Sequence, residues 1–373
     1  MKFTIDRADL LRSLNHVHSV VERRNTIPIL ANVLLRAEKD SLSLTTTDMD
    51  LEIVESVAAK ISTAGTTTVP AHTLYDIVRK LADGSKIEIS SAAGDTTLQV
   101  RSGRSTFRLG CLSTEDFPKM GSSEKFSYNF SIPAAELRTL VDRTRFAISN
   151  EETRYYLNGI FLHAAEHDGV PVLRAVATDG HRLARFEMPL PEGAKDMPGV
   201  IIPRKAINEI RKLIDEAGDS IEIGLSENKL KFSFDHISLT TKLIDGTFPD
   251  YDRVIPKNND KVLEVNPEIF AGAVDRVSTI SNEKSRAVKL TLGGKTMTLS
   301  ANSPDSGSAS EEIEIHFNAN QMEIGFNSVY LMDVAKQIKG DGCRIFLSDS
   351  SSPTIIQDVS DNSSLYVLMP MRV

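Results

Sequence analysis

The 373-residue sequence has no tryptophan, only two cysteines, and aromatic side chains that make up 6% of the chain. The two cysteines, Cys111 and Cys343, are far apart, which argues against a disulfide framework and a cysteine-rich metal site. No apolar run approaches the roughly 20 residues that a membrane-spanning helix needs, and the first residues show no signal-peptide core. We therefore expect a cytoplasmic protein with no membrane partner.

What the sequence does contain is one pattern written three times. Phe3-Thr4-Ile5, followed by an apolar helical stretch, returns as Phe130-Ser131-Ile132 and again as Leu263-Glu264-Val265. Further along, Thr47-Asp48 in the first copy matches Thr178-Asp179 in the second. The period is about one domain long, which excludes the solenoid repeats of roughly 20 to 50 residues. The sequence predicts three domains, with the bounds 1-120, 127-252 and 253-373.

Within each copy the pattern predicts a strand, a helix, hairpins, a second helix and more strands. In the first copy we expect helices from about Arg7 to Val21, with Asp6 or Asp9 serving the first turn, and from about His72 to Leu81. In the second copy, Pro203 suits the first turn of the second helix. Period-two stretches between the helices indicate half-buried strands. Helices on one side and antiparallel sheet on the other give an α+β fold.

Basic residues recur on the predicted helices although the formal net charge is −8. If the helices of all copies lie on one side, these residues form a surface that faces phosphate. The alternative is that they are ordinary solvated helix faces. The residues are Arg7, Arg12, Arg79 and Lys80 in the first copy, Arg138, Arg143, Arg145, Arg204, Lys205, Arg211 and Lys212 in the second, and Arg276, Lys284, Lys336 and Lys339 in the third.

Three fragments resemble catalytic motifs, but their sequence context does not fit the structure that each motif needs. Gly294-Lys295-Thr296 lies between two strand-like runs and reads as a hairpin turn, not a phosphate-binding loop. His163 and His167 have an inverted zinc-protease spacing, which needs a helix, yet the segment follows a strand-like run and enters a turn. Ser149, Asp179 and His181 lack any nucleophile-elbow motif. No catalytic residue, metal or cofactor is predicted; a metal-dependent hydrolase at His163, His167 and His181 is the competing hypothesis.

Two segments of the middle copy, Arg154–Gly159 and Ala177–Ala184, have no counterpart of the same sequence in the other copies. Together with other motifs they make the chain resemble, over its whole length, the bacterial sliding clamps, the beta subunits of DNA polymerase III. The other motifs are Met1-Lys2-Phe3-Thr4, Pro28-Ile29-Leu30, Val100-Arg101-Ser102-Gly103-Arg104-Ser105, Phe248-Pro249-Asp250-Tyr251, Ser281-Asn282-Glu283-Lys284 and Met369-Pro370-Met371-Arg372.

The resemblance implies a non-catalytic processivity factor that encircles duplex DNA without sequence specificity. It implies a head-to-tail homodimer of six similar domains, with helices lining the hole and sheets outside. Domain size agrees, because a domain of about 125 residues is roughly 36 Å across as a sphere, and six touching spheres leave a hole about as wide as one sphere. Duplex DNA needs roughly 20 Å. Encirclement would supply residence on DNA without tight contacts.

The resemblance also implies two sets of site residues. The DNA-facing set is Arg24, Arg154, Tyr155, Tyr156, Arg204 and Lys205, although the two tyrosines could instead pack a loop. The second set lines a groove for apolar-anchored peptides of replicative and repair DNA polymerases, the clamp loader and other clamp-binding proteins. It comprises Leu157, Thr178, Gly180, His181, Arg182, Leu183, Pro249, Val254, Asn327, Tyr330, Val367, Met369, Pro370, Met371 and Arg372.

The groove residues also have plainer interpretations. Leu, Val, Pro and Met side chains suit apolar anchors, and Arg182 and Arg372 suit peptide carboxylates or carbonyls. However, Val367 and Met369 could form a last core strand, and His181 could be a turn histidine. The stretch Ser350-Ser351-Ser352-Pro353 is more polar than an apolar groove wall. A three-domain protein scaffold that never touches DNA is the second competing hypothesis.

Overall fold

The computed structural model describes residues 1–24, 26–91, 96–120, 125–281 and 286–372. Lys284 and most of the predicted Ser281–Lys284 motif lie outside these residues. Within them, six α-helices follow directly, or after one residue, on a strand. The helices are α1 (Arg7–Val17), α2 (Ala71–Lys80), α3 (Ala134–Thr144), α4 (Arg204–Leu213), α5 (Pro267–Ser278) and α6 (Ser328–Ala335).

The strands of the described residues form four sheets, and neighbouring strands pair antiparallel. In the first 133 residues they are β1 (Lys2–Asp6), β2 (Asn32–Glu38), β3 (Ser41–Thr47), β4 (Leu51–Ala58), β5 (Lys60–Thr63), β6 (Gly65–Pro70), β7 (Lys86–Ser90), β8 (Thr97–Ser102), β9 (Ser105–Gly110) and β10 (Tyr128–Pro133). Those that follow, up to residue 242, are β11 (Gly159–His167), β12 (Val170–Thr178), β13 (Arg182–Pro189), β14 (Val200–Pro203), β15 (Ser220–Leu225), β16 (Lys229–Phe234) and β17 (Ile237–Lys242). The remaining strands are β18 (Lys261–Val265), β19 (Ala287–Gly293), β20 (Thr296–Ser303), β21 (Gly307–Glu314), β22 (His316–Phe317), β23 (Met322–Asn327), β24 (Cys343–Leu347), β25 (Thr354–Asp358) and β26 (Ser364–Leu368).

The element order confirms the triplicate pattern. The strand–helix pairs β1–α1, β10–α3 and β18–α5 open the three copies, and β6–α2, β14–α4 and β23–α6 supply the second helix of each. The mixture of helices with antiparallel sheets confirms the predicted α+β class.

The chain divides into two compact units. The first contains Met1–Arg138, Pro191–Ala194 and Lys205–Leu243, with sheets in the orders β5-β1-β7-β8-β9 and β10-β15-β16-β17-β4-β3-β2-β6. In the eight-stranded sheet, β17 of the second copy pairs with β4 of the first, so this sheet continues from one copy into the next. The pairing covers an edge that each copy would otherwise leave open.

The second unit contains Thr139–Leu190, Lys195–Arg204 and Ile244–Val373. Its sheets have the orders β14-β11-β12-β13-β26-β25-β24-β18-β22 and β21-β20-β19-β23. Here β13 of the second copy pairs with β26 of the third. Because both large sheets join strands of two copies, the compact units do not coincide with the three copies. The predicted domain bounds stay a prediction.

Two details of the helix predictions, the end of α1 and the place of Pro203, are wrong. Helix α1 ends at Val17 and a 3-10 turn, His18–Val20, follows it, because the carbonyl of Val17 accepts the Thr46 hydroxyl at 2.7 Å. Of the two acidic residues predicted to serve the first turn of α1, Asp9 lies in that turn, whereas Asp6 is the last residue of β1 and its side chain makes no capping hydrogen bond. Pro203 ends β14, and α4 begins at the residue after it.

Candidate functional site

The turn between β12 and β13 is held by the side chain of Asp179. One of its carboxylate oxygens accepts the backbone N–H groups of His181 and Arg182, at 2.9 and 3.0 Å. In the first copy, the carboxylate of Asp48 accepts the N–H groups two and three residues after it, at 2.9 and 2.7 Å. The Asp-centred turn therefore belongs to the fold of both copies, and what distinguishes the middle copy is the tip, Gly180 and His181.

Glycine suits the backbone conformation at the tip of this turn. Gly180 has a φ of +88°, and a Cβ atom built on it would lie 2.8 Å from Nη1 of Arg154. Its N–H donates to the Thr178 hydroxyl oxygen at 3.1 Å. In the first copy, Met49 holds the same position with a φ of 79°. A side chain at Gly180 would meet an unfavourable backbone conformation, and the end of the flexible Arg154 side chain would have to move aside.

Arg182, which was predicted to meet peptide carboxylates or carbonyls, is held by partners within the protein. Its side chain is 10% exposed, and Nε donates to Asp179 at 3.1 Å while Nη1 donates to Asp333 at 2.5 Å. Nη2 donates to the carbonyl oxygen of Phe146 at 2.6 Å. The guanidinium carbon lies 5.2 Å from the Phe146 ring centroid and 4.3 Å from that of Tyr330. Because its guanidinium group lies near two aromatic rings and donates three hydrogen bonds, Arg182 holds the turn in place.

The segment after β26 lies alongside this turn. The N–H of Met369 donates to the carbonyl oxygen of His181 at 2.9 Å, and the N–H of Met371 donates to that of Gly325 in β23 at 2.7 Å. The ring centroids of His181 and Tyr330 lie 6.3 Å apart at an interplanar angle of 23°. The side chains of the segment are variously accessible: Met369 and Arg372 are exposed, whereas Pro370 and Met371 are half-buried.

An apolar cluster underlies this surface. Three predicted lining residues, Leu157, Leu183 and Val367, are at most 4% exposed and form part of it. They therefore lie beneath the surface, and Val367 belongs to the last core strand. The other buried members are Val176, Ile201, Phe248, Tyr251 and Leu365.

Exposed apolar side chains, which we call the rim, lie close in sequence to members of this cluster. Val254 is 53% exposed and Met369 40%, and Pro249 is also exposed. We call this surface the candidate groove; it consists of His181, Pro249, Val254, Tyr330, Met369, Pro370, Met371 and Arg372. Asn327 has a different task, because its side-chain oxygen caps α6 by accepting the N–H of Val329 at 2.9 Å. Thr178 likewise serves the turn, since its hydroxyl donates to the carbonyl oxygen of Arg182 at 2.7 Å.

Comparisons with known proteins match the whole length of the chain to one family. Family models of the DNA polymerase III beta subunit match residues 1–121 with the N-terminal domain, 131–250 with the central domain and 252–372 with the C-terminal domain. The beta sliding clamp of Caulobacter vibrioides strain NA1000 is 52% identical over 373 residues, which cover 100% of both chains.

Solved structures of sliding clamps also superpose on the full chain. The clamp of Bartonella birtlesii bound to griselimycin is 51% identical, with a TM-score of 0.96 and 100% coverage of both chains. The clamp of Caulobacter crescentus is 51% identical, with a TM-score of 0.97 and coverage of 100% of this chain and 99% of that one. The chain belongs to the DNA polymerase III beta subunit family.

As a member of this family the chain is a sliding clamp, a processivity factor rather than an enzyme, and its partners are DNA and DNA polymerase III. The three copies are three clamp domains in tandem. None of the helices in the described part of the chain has the length and apolarity of a membrane span.

The predicted DNA-facing residues of the clamp differ in their surroundings. Arg24 is exposed, whereas Arg154 pairs with Glu151 at 3.1 Å and lies over Gly180. Tyr156 packs against the apolar cluster, and its ring centroid is 5.7 Å from that of Tyr155, which is 54% exposed. A Cβ atom on Gly246 would lie 3.2 and 3.3 Å from atoms of the two tyrosines. The two tyrosines thus lie beside the loop at Gly246, and their contact with DNA stays a prediction.

Arg204 and Lys205 are less accessible for contact with DNA than the sequence implied. Burial lowers the pKa of Arg204, which is half-buried at the start of α4. Nζ of Lys205 bonds to Asp48 at 2.5 Å, to the carbonyl oxygen of Val20 at 3.2 Å and to Glu22 at 3.5 Å. Burial alone would lower the pKa of Lys205, but hydrogen bonds and the charges of Asp48 and Glu22 outweigh it and raise the pKa. Its charge is therefore compensated within the protein.

Most other helix cations of the clamp also pair with carboxylates. Arg143 is the most enclosed, because its side chain is 13% exposed and binds both Asp361 at 3.0 Å and the Ser364 hydroxyl at 2.8 Å. Exposed Arg12, Arg24, Lys80, Lys336 and Lys339 form no ion pair with another described residue. The remaining pairs are Arg7–Asp83, Arg79–Asp76, Arg138–Asp215, Arg145–Asp142, Arg211–Asp215, Lys212–Glu209 and Arg276–Glu311.

The fragments that resembled catalytic motifs have structural roles. Gly294 lies in the hairpin between β19 and β20, as predicted. His163 and His167 lie on β11, which confirms the predicted strand, and they have different partners: Nε2 of His163 contacts the Tyr251 hydroxyl at 2.9 Å, and Nδ1 of His167 contacts Glu187 at 2.5 Å. Within the described residues, no three His, Cys, Asp or Glu side chains are placed to hold a metal ion.

The sequence prediction missed the aromatic anchors beneath the candidate groove. Phe248 stacks on Phe161, with centroids 4.9 Å apart and an interplanar angle of 6°, and Tyr251 is 6% exposed. The signal was present, because two aromatic residues three positions apart stand on either side of Pro249 in the connection between β17 and β18. The polar stretch Ser350–Pro353 forms a turn in which Asp349 accepts hydrogen bonds from two of the serines.

Proposed function

We propose that two copies of this clamp close head to tail into a six-domain ring around duplex DNA, with the helices lining the hole. The proposal includes clamp domains at 1-120, 127-252 and 253-373, which the family-model matches at 1–121, 131–250 and 252–372 support. It also includes action on DNA in the cytoplasm. Two copies give six domains, the number whose ring leaves a hole of duplex width by the size argument above.

Free sheet edges support the head-to-tail arrangement. In the sheets described, β9 and β21 are each an end strand with one neighbour. Such edges are available for pairing with another chain. Their charges are opposite, because β9 carries the exposed Arg108 and β21 carries the exposed Glu312 and Glu314. We propose that β9 of one copy pairs with β21 of the other, since opposite charges across an interface favour this partner and this orientation.

The contacts with DNA are proposed to be weak and exchangeable. Arg24 and the other exposed unpaired cations attract the phosphates directly, while Arg154, Tyr155, Tyr156, Arg204 and Lys205 contribute less than the sequence implied. An exposed ion pair is worth only about 0 to 1 kcal/mol, so phosphate can replace a carboxylate at little cost. Contacts of this kind hold the duplex at the centre without arresting it.

The candidate groove is proposed to bind short apolar-anchored peptides of replicative and repair polymerases, the clamp loader and other partners. Exposed Val254, Met369 and Pro249 offer apolar contacts, and Arg372 offers an exposed positive charge. Met side chains adapt to different anchors, which suits a site with several partners. We infer that griselimycin, to which the Bartonella birtlesii clamp is bound, occupies the same groove. Met371→Ala should then weaken griselimycin binding and leave the dimer intact.

The ring proposal is tested by topology. The clamp, loaded by a clamp loader onto nicked circular DNA, should stay bound through gel filtration and be released when a restriction enzyme linearises the circle. The matched control is the same circle left uncut. Equal release from cut and uncut DNA, or a strictly monomeric mass in solution, would overturn the proposal. Because the assay needs no polymerase, its result does not depend on the groove.

A further inference from the structure

A buried polar chain runs beneath the candidate groove on strands β11, β12 and β13. Nη1 of Arg174 lies 2.9 Å from the hydroxyl oxygen of Tyr251, and Nε2 of His163 lies 2.9 Å from the same oxygen. Nε of Arg174 also donates to Glu187 at 2.5 Å. Arg174 is 8% exposed and Glu187 7%, so these groups have little access to water. Buried polar groups of this kind are costly unless each has its partner.

The donors and acceptors of Arg174, Tyr251 and His163 determine which atom carries each proton in these hydrogen bonds. Arg174 can only donate, so the Tyr251 oxygen accepts from it, and the Tyr251 hydroxyl proton is left to donate to Nε2 of His163. That nitrogen must then be unprotonated. The proton of the neutral ring lies on Nδ1, which donates to the carbonyl oxygen of Ala164 at 3.0 Å. The arrangement is satisfied only when His163 is neutral.

This series of hydrogen bonds ends at Tyr251. Tyr251 is one of two buried aromatic residues that anchor the segment Pro249–Val254, which we call the groove wall. Tyr251 begins the 3-10 turn Tyr251–Arg253, and its carbonyl oxygen accepts the N–H of Val254 at 3.1 Å. The other anchor is Phe248, which stacks on Phe161. Between and just beyond these two buried aromatics lie the exposed rim residues Pro249 and Val254. The position of the rim therefore depends on whether the Tyr251 side chain stays in place.

We propose that His163 and Arg174 are positioning residues for partner binding, which through the hydroxyl of Tyr251 hold the segment Pro249–Val254 as a rigid wall of the groove. Neither residue belongs to the groove surface. The inference rests on the proposed function of the groove. A wall that is already in place loses less conformational freedom when a ligand binds, so the two residues strengthen binding without touching the ligand.

The same geometry makes the wall sensitive to acid. A proton on Nε2 of His163 would convert it from acceptor to donor, and the Tyr251 oxygen would then face two donors while its own proton lost its acceptor. Burial lowers the pKa of His163 below its ordinary value of 6.5, and the charge of Arg174 acts in the same direction. The charged and titratable groups around the ring are Arg174, Arg185, Glu187, Asp252 and, beyond Glu187, His167. The wall should hold at pH 7.5 and loosen as the pH falls through the lowered pKa of His163.

The test uses full-length protein and griselimycin as the probe. Tyr251→Phe keeps the ring but removes both hydrogen bonds, so binding at pH 7.5 should weaken about fivefold to tenfold, mainly through faster dissociation. Wild-type affinity should fall between pH 7.5 and 5.5. His163→Gln offers an acceptor that does not titrate, so it should bind as the wild type does at pH 7.5 and lose the acid dependence. Tyr75→Phe, the same change in the first copy, is the matched control.

Hydrogen exchange of the Val254 amide separates this inference from the groove proposal. Tyr251→Phe should speed exchange at Val254, whose N–H bonds to the Tyr251 carbonyl, while the Tyr75→Phe protein should exchange as the wild type does. If wild type and Tyr251→Phe bind griselimycin equally with the same pH profile, the positioning role is overturned and the groove stands. If the wild type does not bind griselimycin, or Met371→Ala binds it normally, the groove proposal fails. In that case unchanged exchange at Val254 would also overturn the positioning role.

Discussion

Arg182 and Arg372 carry the same charge at two places near the candidate groove but differ in what surrounds them. The Arg182 side chain is 10% exposed and has three protein partners, whereas Arg372 is exposed in the final segment. The resemblance to sliding clamps, together with residue type, led to the same ligand-binding role for both. The distinction could not be predicted because Asp333 and Phe146, which engage Arg182, are separated from it by 151 and 36 residues along the chain.

This difference predicts the behaviour of two substitutions. Arg182→Met should destabilise the clamp by about 2–4 kcal/mol, because Asp179 and Asp333 would lose the cation they share in a largely buried site. Arg372→Ala should change stability by less than about 0.5 kcal/mol and weaken griselimycin binding. Urea unfolding with a linear extrapolation measures both effects. An unchanged unfolding midpoint for Arg182→Met would return Arg182 to the ligand-binding set.

The tip of the Asp179 turn allows a comparison between two glycines. Gly180→Ala should cost about 1–3 kcal/mol and weaken griselimycin binding, because the backbone is left-handed and the new Cβ would lie 2.8 Å from Nη1 of Arg154. Gly84→Ala is the control, since Gly84 has a φ of +70° but nothing within 4 Å of its Cβ position. Thermal unfolding should show a larger loss for Gly180→Ala. Equal losses would mean that the contact with Arg154 adds nothing to the backbone strain.

At the scale of elements, the sequence predicted the local order well. Alternating runs such as Lys229–Phe234 and the apolar periodicity at Leu10 and Leu14 report burial directly, so strands and helices followed from them. The pairing of strands from different copies could not be predicted from the sequence. That β17 joins β4 and β13 joins β26 depends on contacts between distant segments, for which a single sequence carries no local signal. For the same reason the hydroxyl partners of Tyr251, which come from β11 and β12, could not be predicted, although the aromatic residue itself stood out in its loop.

The two end strands β9 and β21 carry a prediction about assembly. Arg108→Glu and Glu312→Arg should each weaken the proposed dimer roughly threefold to tenfold, because each places like charges across the paired edges. The double variant should recover most of the loss, since the charges are again opposite. Sedimentation equilibrium gives the dissociation constants. Arg36→Glu, the same change on the interior strand β2, should leave the dimer unchanged; failure of the double variant to recover would remove this edge pairing.

At the scale of the whole molecule, the charge distribution suits confinement better than affinity. The chain has a net charge of −8, and most helix cations are paired with carboxylates. A body of this kind has little affinity for DNA in the absence of topological closure. The lifetime of the clamp on DNA and its electrostatic attraction to DNA are then separate properties. Different residues control them, and different experiments can measure them.

Salt and charge reversal should separate these properties. Binding to linear duplex should be weak, with a dissociation constant of about 10⁻⁴ to 10⁻⁶ M, and should fall steeply as salt rises, whereas a clamp already loaded on a closed circle should be retained at the same salt. Arg24→Glu, at an exposed cation with no carboxylate partner among the described residues, should weaken linear binding and slow loading. It should leave the lifetime on the circle unchanged, because a closed ring does not need attraction to stay. Lys205→Glu is unsuitable for this purpose, since it would place a carboxylate against Asp48 and Glu22 and lower stability. If Arg24→Glu or high salt shortened the lifetime on uncut circles as much as on linear DNA, affinity rather than closure would hold the clamp.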